Sequence, residues 1–203
     1  MAADPVAASG WAPSTPTRAG PWLRVGVLAG SLTAAVEGRV ALNGSSMESA
    51  LLAGALFGLA LAGLAALWGW RFRRPDPRAL AVGGVGGIVT VGIAAAFHGA
   101  APIGMRPEPL AAWAGVTVLV AMAEEIAIRG ALLDAARAAV GPAAAIALTS
   151  VVFGLVHVPL YGWSVVPLDV GVGILFAGLR LATGSVAAPA LAHAIADLAT
   201  WWL

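Results

Sequence analysis

LAAWAGVTVLVAMAEEIAIRGALL, residues 110–133, is the stretch that decides how this chain folds. As a helix it is long enough to cross a hydrocarbon core of about 30 Å. Its second half nevertheless carries Glu124, Glu125 and Arg129. An ionisable side chain near the bilayer centre costs roughly 2.5–3.5 kcal/mol on insertion scales. Such groups are retained when they pair with one another, face the interior of a helix bundle, or perform chemistry there. Glu125 and Arg129 stand four residues apart, so they share a helical face and can pair. Glu124 lies about 100° further round the helix and is left available for other work.

The rest of the chain shares this character. Of 203 residues, 60% are hydrophobic and 10% charged, with a formal net charge of +1 and a mean hydropathy of +0.91. Soluble domains carry about 45–50% apolar and about 25% charged residues. So few charges cannot cover a soluble surface, which excludes a soluble enzyme, a nucleic-acid binder and a disordered chain. There is no Cys, hence no disulfide, thiol nucleophile or Cys-ligated metal. The 26 glycines and abundant alanine suit helices packed closely in lipid.

The pattern predicts an all-α, polytopic transmembrane helix bundle of about seven spans, near residues 23–42, 49–70, 79–98, 110–133, 142–160, 164–181 and 185–203. Six spans follow instead if the first segment, which carries Glu37 and Arg39 near its end, lies in the interface. Residues 1–21, rich in Pro, Ser, Thr and Ala, are expected to be a disordered tail. Residues 22–203 then form a single membrane domain whose motif-bearing core is 110–203. Gly54 with Gly58, and Gly83 with Gly87, are small-xxx-small pairs suited to close helix contact. Trp22, Trp68, Trp70, Trp163, Trp201 and Trp202 cluster at span ends, as an aromatic belt would.

Arginine placement predicts orientation. Arg71, Arg73, Arg74 and Arg78 crowd one connection, expected to be cytoplasmic and in contact with anionic lipid. Counting outward, the N-terminus and Arg18, Arg24, Arg137 and Arg180 fall inside. Arg106 falls outside, with Arg39 at the outer end of its span.

Two further spans carry polar faces. FGLVH places Phe153 one turn before His157, and HAIAD places His193 one turn before Asp197. The least costly arrangement turns these helices and Glu124 toward one another around a small polar cavity. Two chemistries fit. Glu124 can act as general base on a water, with one histidine holding that water and the other, with Asp197, hydrogen-bonding the developing oxyanion. Alternatively, Glu124, His157 and His193 can ligate a catalytic zinc. Both are hydrolysis inside the membrane. The bland alternatives are a structural ion pair for Glu125–Arg129 and a helix-end role for His157 before Pro159. His98 and Asp169, at predicted helix ends, are expected to be solvated.

The ordered set EExxxR (Glu124, Glu125, Arg129), FxxxH (Phe153, His157) and HxxxD (His193, Asp197), each within an apolar helix, resembles the CPBP family: the CAAX proteases and bacteriocin-processing enzymes, also called Abi. The resemblance covers residues 110–203, about half of the chain. It implies an intramembrane endopeptidase of the glutamate type, long labelled a metallopeptidase. By motif position Glu124 and His157 would activate the water, His193 and Asp197 would form the oxyanion side, and Glu125, Arg129 and Phe153 would support them. The family's last motif more often ends in Asn, and an Asp donates to an oxyanion only when protonated. The implied substrate is a membrane-anchored protein or peptide: prenylated, bacteriocin-like or bearing a sorting anchor. The absence of Lys hints at a GC-rich bacterial genome, where prenylated substrates are not expected. No cofactor is expected unless zinc is used. The expected location is the bacterial cytoplasmic membrane, with no nucleic-acid partner.

There is no HExxH, no G-x-S-x-G and no Gly-Asp pair of the presenilin kind. The competing functions are a proton-coupled transporter, which an inverted repeat would favour but no repeat is evident, and a catalytically idle immunity or scaffold protein. One geometric tension follows from the predicted spans. With Glu124 about 14 residues in from the outer face and His157 about 15 residues in from the inner face, the two differ in depth by about 13 Å.

Overall fold

The computed structural model describes residues 20–71, 74–98 and 109–202, and the side chains of these except at 97 and 98. The expected N-terminal tail and the His98 side chain therefore lie outside the described residues, apart from Gly20 and Pro21, and Pro21 already opens the first helix. The elements are α1 (Pro21–Leu42), α2 (Met47–Leu67), α3 (Pro77–His98), α4 (Leu110–Glu125), a π-helical turn (Ile126–Leu132), α5 (Leu133–Val140), α6 (Pro142–Tyr161), a 3₁₀ turn (Trp163–Val165), α7 (Val166–Thr183) and α8 (Ala187–Ala199). Because α4, the π turn and α5 follow without a break, they make one rod, and the described residues form an all-α bundle of seven rods.

Five of these helices, α1, α2, α3, α6 and α7, are individually long and apolar enough to cross a membrane. α8 is apolar but only 13 residues long. The α4–α5 rod, with Glu124, Glu125, Arg129, Asp134 and Arg137, bears the charges that the interior of the bundle has to satisfy. α1 packs against α2, α5 and α6 and buries Val25, Leu28, Leu32 and Val36. These lie three or four residues apart, so a single stripe faces the bundle along the whole helix. That favours seven rods over a first segment lying flat in the interface.

Small residues set the helix spacing. A Cβ on Gly54 would stand 2.9 Å from Val116, and one on Gly58 2.9 Å from Leu119, which seats α2 against α4. On α3, a Cβ at Gly83 would meet the Ala188 carbonyl oxygen at 2.6 Å, and one at Gly87 would meet Ile195 at 2.8 Å, which seats α3 against α8. Both predicted glycine pairs thus lie at close helix contacts, where packing replaces a hydrophobic driving force. The aromatic belt is partial. Trp22, Trp163 and Trp202 are exposed, whereas Trp201 is buried against Trp113 with ring centroids 5.0 Å apart, and Trp70 packs on Gly130.

The depth tension resolves through the length of the α4–α5 rod. The rod runs to Val140 and reverses at Gly141, whose φ of +79° suits a residue without a side chain. Glu124 lies 17 residues before that reversal and His157 lies 16 after it, so they stand at the same level. Residues 133–140 (LDAARAAV) are too polar to prolong a hydropathy window. The predicted span therefore ends early, although the helix does not.

Candidate active site

The π turn begins directly after the two glutamates. Its wider loop, sealed by Leu133 N–H donating to Ile128 O, rotates α5 relative to α4 and buries residues 127–132. Gly130 admits the Trp70 indole at the point where a Cβ would stand 2.7 Å from its Nε1. This packing puts both Glu124 and Glu125 inside the bundle, 3% and 0% exposed.

Glu125 forms the inner layer. Its Oε1 accepts from Arg129 Nη1 at 2.7 Å and pairs with His193 Nδ1 at 3.1 Å. Arg129 is wholly buried: its guanidinium lies 4.2 Å from the Phe153 ring centre and 5.5 Å from that of Phe176, and its Nη2 reaches the Gly173 carbonyl at 3.4 Å. A guanidinium over aromatic faces gains cation–π attraction while losing water. The structural ion pair foreseen for Glu125 and Arg129 is present, and it also holds an imidazole.

Glu124 forms the outer layer. Its Oε2 lies 3.8 Å from His157 Nε2 and 3.9 Å from His193 Nε2, and its Oε1 lies 3.8 Å from Arg39 Nη1. These separations exceed direct hydrogen bonds. His157 is fixed from behind: Nδ1 stands 2.8 Å from the Phe153 carbonyl and 3.3 Å from Asp169 Oδ2. With Nδ1–H donating in that direction, the Nε2 lone pair points at Glu124. α6 continues through Pro159 to Tyr161, so His157 does not end the helix. His193 completes the ring through Nε2, 3.5 Å from Asp197 Oδ2. Phe153 sits edge-on to both imidazoles, with centroids 4.7 Å from His157 and 5.5 Å from His193.

All seven residues singled out from the sequence therefore gather at one place. Two more join them. Asp169, expected to be only a solvated helix-end residue, does lie in the first turn of α7 but also backs His157, because α7 packs along α6 and brings that turn beside the imidazole. Arg39, at the end of α1, stands beside Glu124 with its guanidinium 5.0 Å from the Phe57 ring centre. Their signal in the sequence was charge placed three to five residues inside a predicted span end, at the end shared with His157 and Asp197.

A tetrahedral zinc with bonds of about 2.0–2.2 Å draws its ligand atoms to about 3.3–3.6 Å from one another. Glu124 Oε2 stands somewhat further than that from both imidazoles, at 3.8 and 3.9 Å, and no group of three or more His, Asp or Glu among the described residues could hold a metal ion.

The fold and this cluster define a class: a polytopic membrane protein with carboxylates and imidazoles converging inside its helix bundle. A family model described as type II CAAX prenyl endopeptidase, Rce1-like, matches residues 106–199, just under half of the chain and all of its motif-bearing helices. Over that segment the chain is similar to the CAAX protease family. No curated protein and no solved structure matches it.

Proposed function

We propose that the protein is an intramembrane endopeptidase that hydrolyses a peptide bond in a membrane-anchored protein or peptide, using a water activated by Glu124 and His157. The observation that carries this reading is that one carboxylate oxygen, Glu124 Oε2, faces the Nε2 atoms of two histidines at 3.8 and 3.9 Å. A water seated against Oε2 lies within reach of the His157 lone pair. In the first step the water oxygen bonds to the substrate carbonyl carbon and its proton passes to Glu124. The carbonyl oxygen, now negative, takes hydrogen bonds from the His193 and Asp197 side. His193 faces a carboxylate at each ring nitrogen and can donate from both as an imidazolium. In the second step the C–N bond breaks and the departing amine takes the proton back. Removing a general base of this kind typically costs 10²–10⁴-fold in rate.

Proton relay in a transporter would use the same groups. The family match and the backing of each imidazole by its own carboxylate favour hydrolysis, in which ring orientation matters. We further propose that no metal takes part and that the protein resides in a bacterial cytoplasmic membrane.

The test is cleavage of membrane-anchored reporter peptides by purified protein in liposomes, wild type beside Glu124→Gln, each with and without a zinc chelator. Cleavage abolished by the substitution and indifferent to chelator is the expected result. Cleavage that survives Glu124→Gln in folded protein overturns the mechanism, and cleavage lost to chelator alone restores the zinc set.

A further inference from the structure

The site does not sit midway through the bundle. His157 lies four residues before the end of α6, Arg39 three before the end of α1, Asp197 two before the end of α8, and Asp169 three after the start of α7. At 1.5 Å per residue these are depths of about 3–6 Å from the helix ends. Aromatic residues mark the same level: Tyr161 and Trp163 are exposed at the α6–α7 connection, and Trp202 is exposed just beyond α8. Trp and Tyr collect where hydrocarbon meets headgroups. The outer members of the cluster therefore lie about one helical turn below one end of the bundle, with His193 six residues before the end of α8 and Glu124 level with His157. The cluster's least covered groups are Asp197, Asp169 and Arg39, with side chains 39%, 20% and 20% exposed.

The opposite end carries the positive charge. Arg71, Arg74 and Arg78 stand between α2 and α3 or at the start of α3, Arg24 near the start of α1, Arg137 near the end of α5, and Arg180 near the end of α7. In the sequence, Arg73 falls in the same connection and Arg18 precedes α1. The chain has no Lys. Of its remaining arginines, Arg129 is buried inside the bundle, Arg39 belongs to the site, and Arg106 alone falls in a connection on the site's side. Positive loops stay on the cytoplasmic side during insertion, and acidic residues count for little.

We infer that the catalytic cluster opens to the extracytoplasmic face, and that its substrates are peptides whose scissile bond lies at the outer interface, next to a membrane anchor. The substrate half of this inference rests on the endopeptidase reading; the orientation half does not. Cytosolic tails, lipidated ones included, meet the arginine-rich end and not the site.

The natural chain contains no Cys, so any introduced thiol is unique. Ser164 is exposed in the turn at the site's end, while Ala138 and Ala143 are exposed at the arginine-rich end. Ser164→Cys, Ala138→Cys and Ala143→Cys are produced in bacterial cells, converted to spheroplasts and treated with a membrane-impermeant maleimide; a parallel sample labelled in denaturant confirms that each thiol is present. Labelling of Ser164→Cys in intact spheroplasts, with the two alanine variants labelled only after lysis, is the expected result. The reverse pattern, or equal labelling at both ends, overturns the orientation. Reporter peptides with the cleavable segment on either side of the anchor then test the substrate half in the same cells. Cleavage confined to the extracytoplasmic reporter supports it, and cleavage of the cytosolic one overturns it. A cluster that cleaves neither, with the labelling as expected, leaves the orientation standing and overturns the peptidase reading for these anchored substrates.

Discussion

His193 Nδ1 lies 3.1 Å from Glu125 Oε1, the same oxygen that accepts from Arg129 at 2.7 Å. The two adjacent glutamates therefore divide the work between them. Glu125 is consumed in holding an imidazole and a guanidinium, while Glu124, about 100° round the helix, is held by no hydrogen bond as short as these and faces both histidines. A carboxylate pair at successive positions achieves this only when both sides of the helix are enclosed, and the π turn that follows provides the enclosure.

Arg129→Met should destabilise the protein by roughly 3–5 kcal/mol, because it leaves the buried Glu125 carboxylate with His193 as its one remaining partner named above. Adding Glu125→Leu removes that charge and should restore most of the lost stability. It should not restore cleavage, since His193 then has nothing to orient its Nδ1. Thermal unfolding in detergent followed by tryptophan fluorescence checks the first part, and reporter cleavage the second. A double variant no more stable than Arg129→Met refutes the charge argument.

Asp169 acts through His157, 3.3 Å away, and is a positioning residue. Asp169→Asn should keep the fold and KM and lower kcat on the order of tenfold, a fraction of the 10²–10⁴-fold that general-base catalysis supplies. A merely structural role would change stability and KM together. Steady-state kinetics on the folded variant separates the two.

Much of this was legible in the sequence, because four-residue spacing within a span fixes a shared face whatever the helix packs against. Phe153–His157, His193–Asp197 and Glu125–Arg129 all follow from that rule, as do the contact glycines at 54, 58, 83 and 87. What escaped depends on where helices end. Asp134 and Arg137 lower the local hydropathy, so the fourth rod reads as ending about seven residues early, and the levels of Glu124 and His157 come out wrong. Asp169 and Arg39 look solvated because charges near span ends usually are. They are site residues here because the site itself lies at that end of the bundle.

Helix packing gives a contrast within a single helix. At Gly83 an added Cβ would stand 2.6 Å from a backbone oxygen of α8, which cannot swing aside, whereas at Gly92 it meets nothing within 4 Å. Gly83→Ala should cost about 1–3 kcal/mol by overpacking. Gly92→Ala should be neutral or stabilise by up to about 1 kcal/mol through helix propensity. Unfolding temperatures of the two variants, measured side by side, decide it; a tolerated Gly83→Ala would mean that α3 and α8 are less tightly seated.

Asp197 raises the sharpest chemical question, because its Oδ2 stands 3.5 Å from His193 Nε2 on the side assigned to the oxyanion, where the family's usual Asn would offer an N–H. A carboxyl donates there only when it carries a proton. If donation is its role, wild-type cleavage should fall as pH rises through the titration of this carboxyl. Asp197→Asn should then keep cleavage and lose that alkaline limb. Asp197→Ala, which removes a donor outright, should lose on the order of 10²-fold in kcat. If Asp197 instead serves as a carboxylate holding His193 in its imidazolium form, the order changes: Asp197→Asn falls nearly as far as Asp197→Ala, and the limb persists. Cleavage rates of the three proteins from pH 5 to 9 distinguish these two roles, because only the first lets the amide replace the acid.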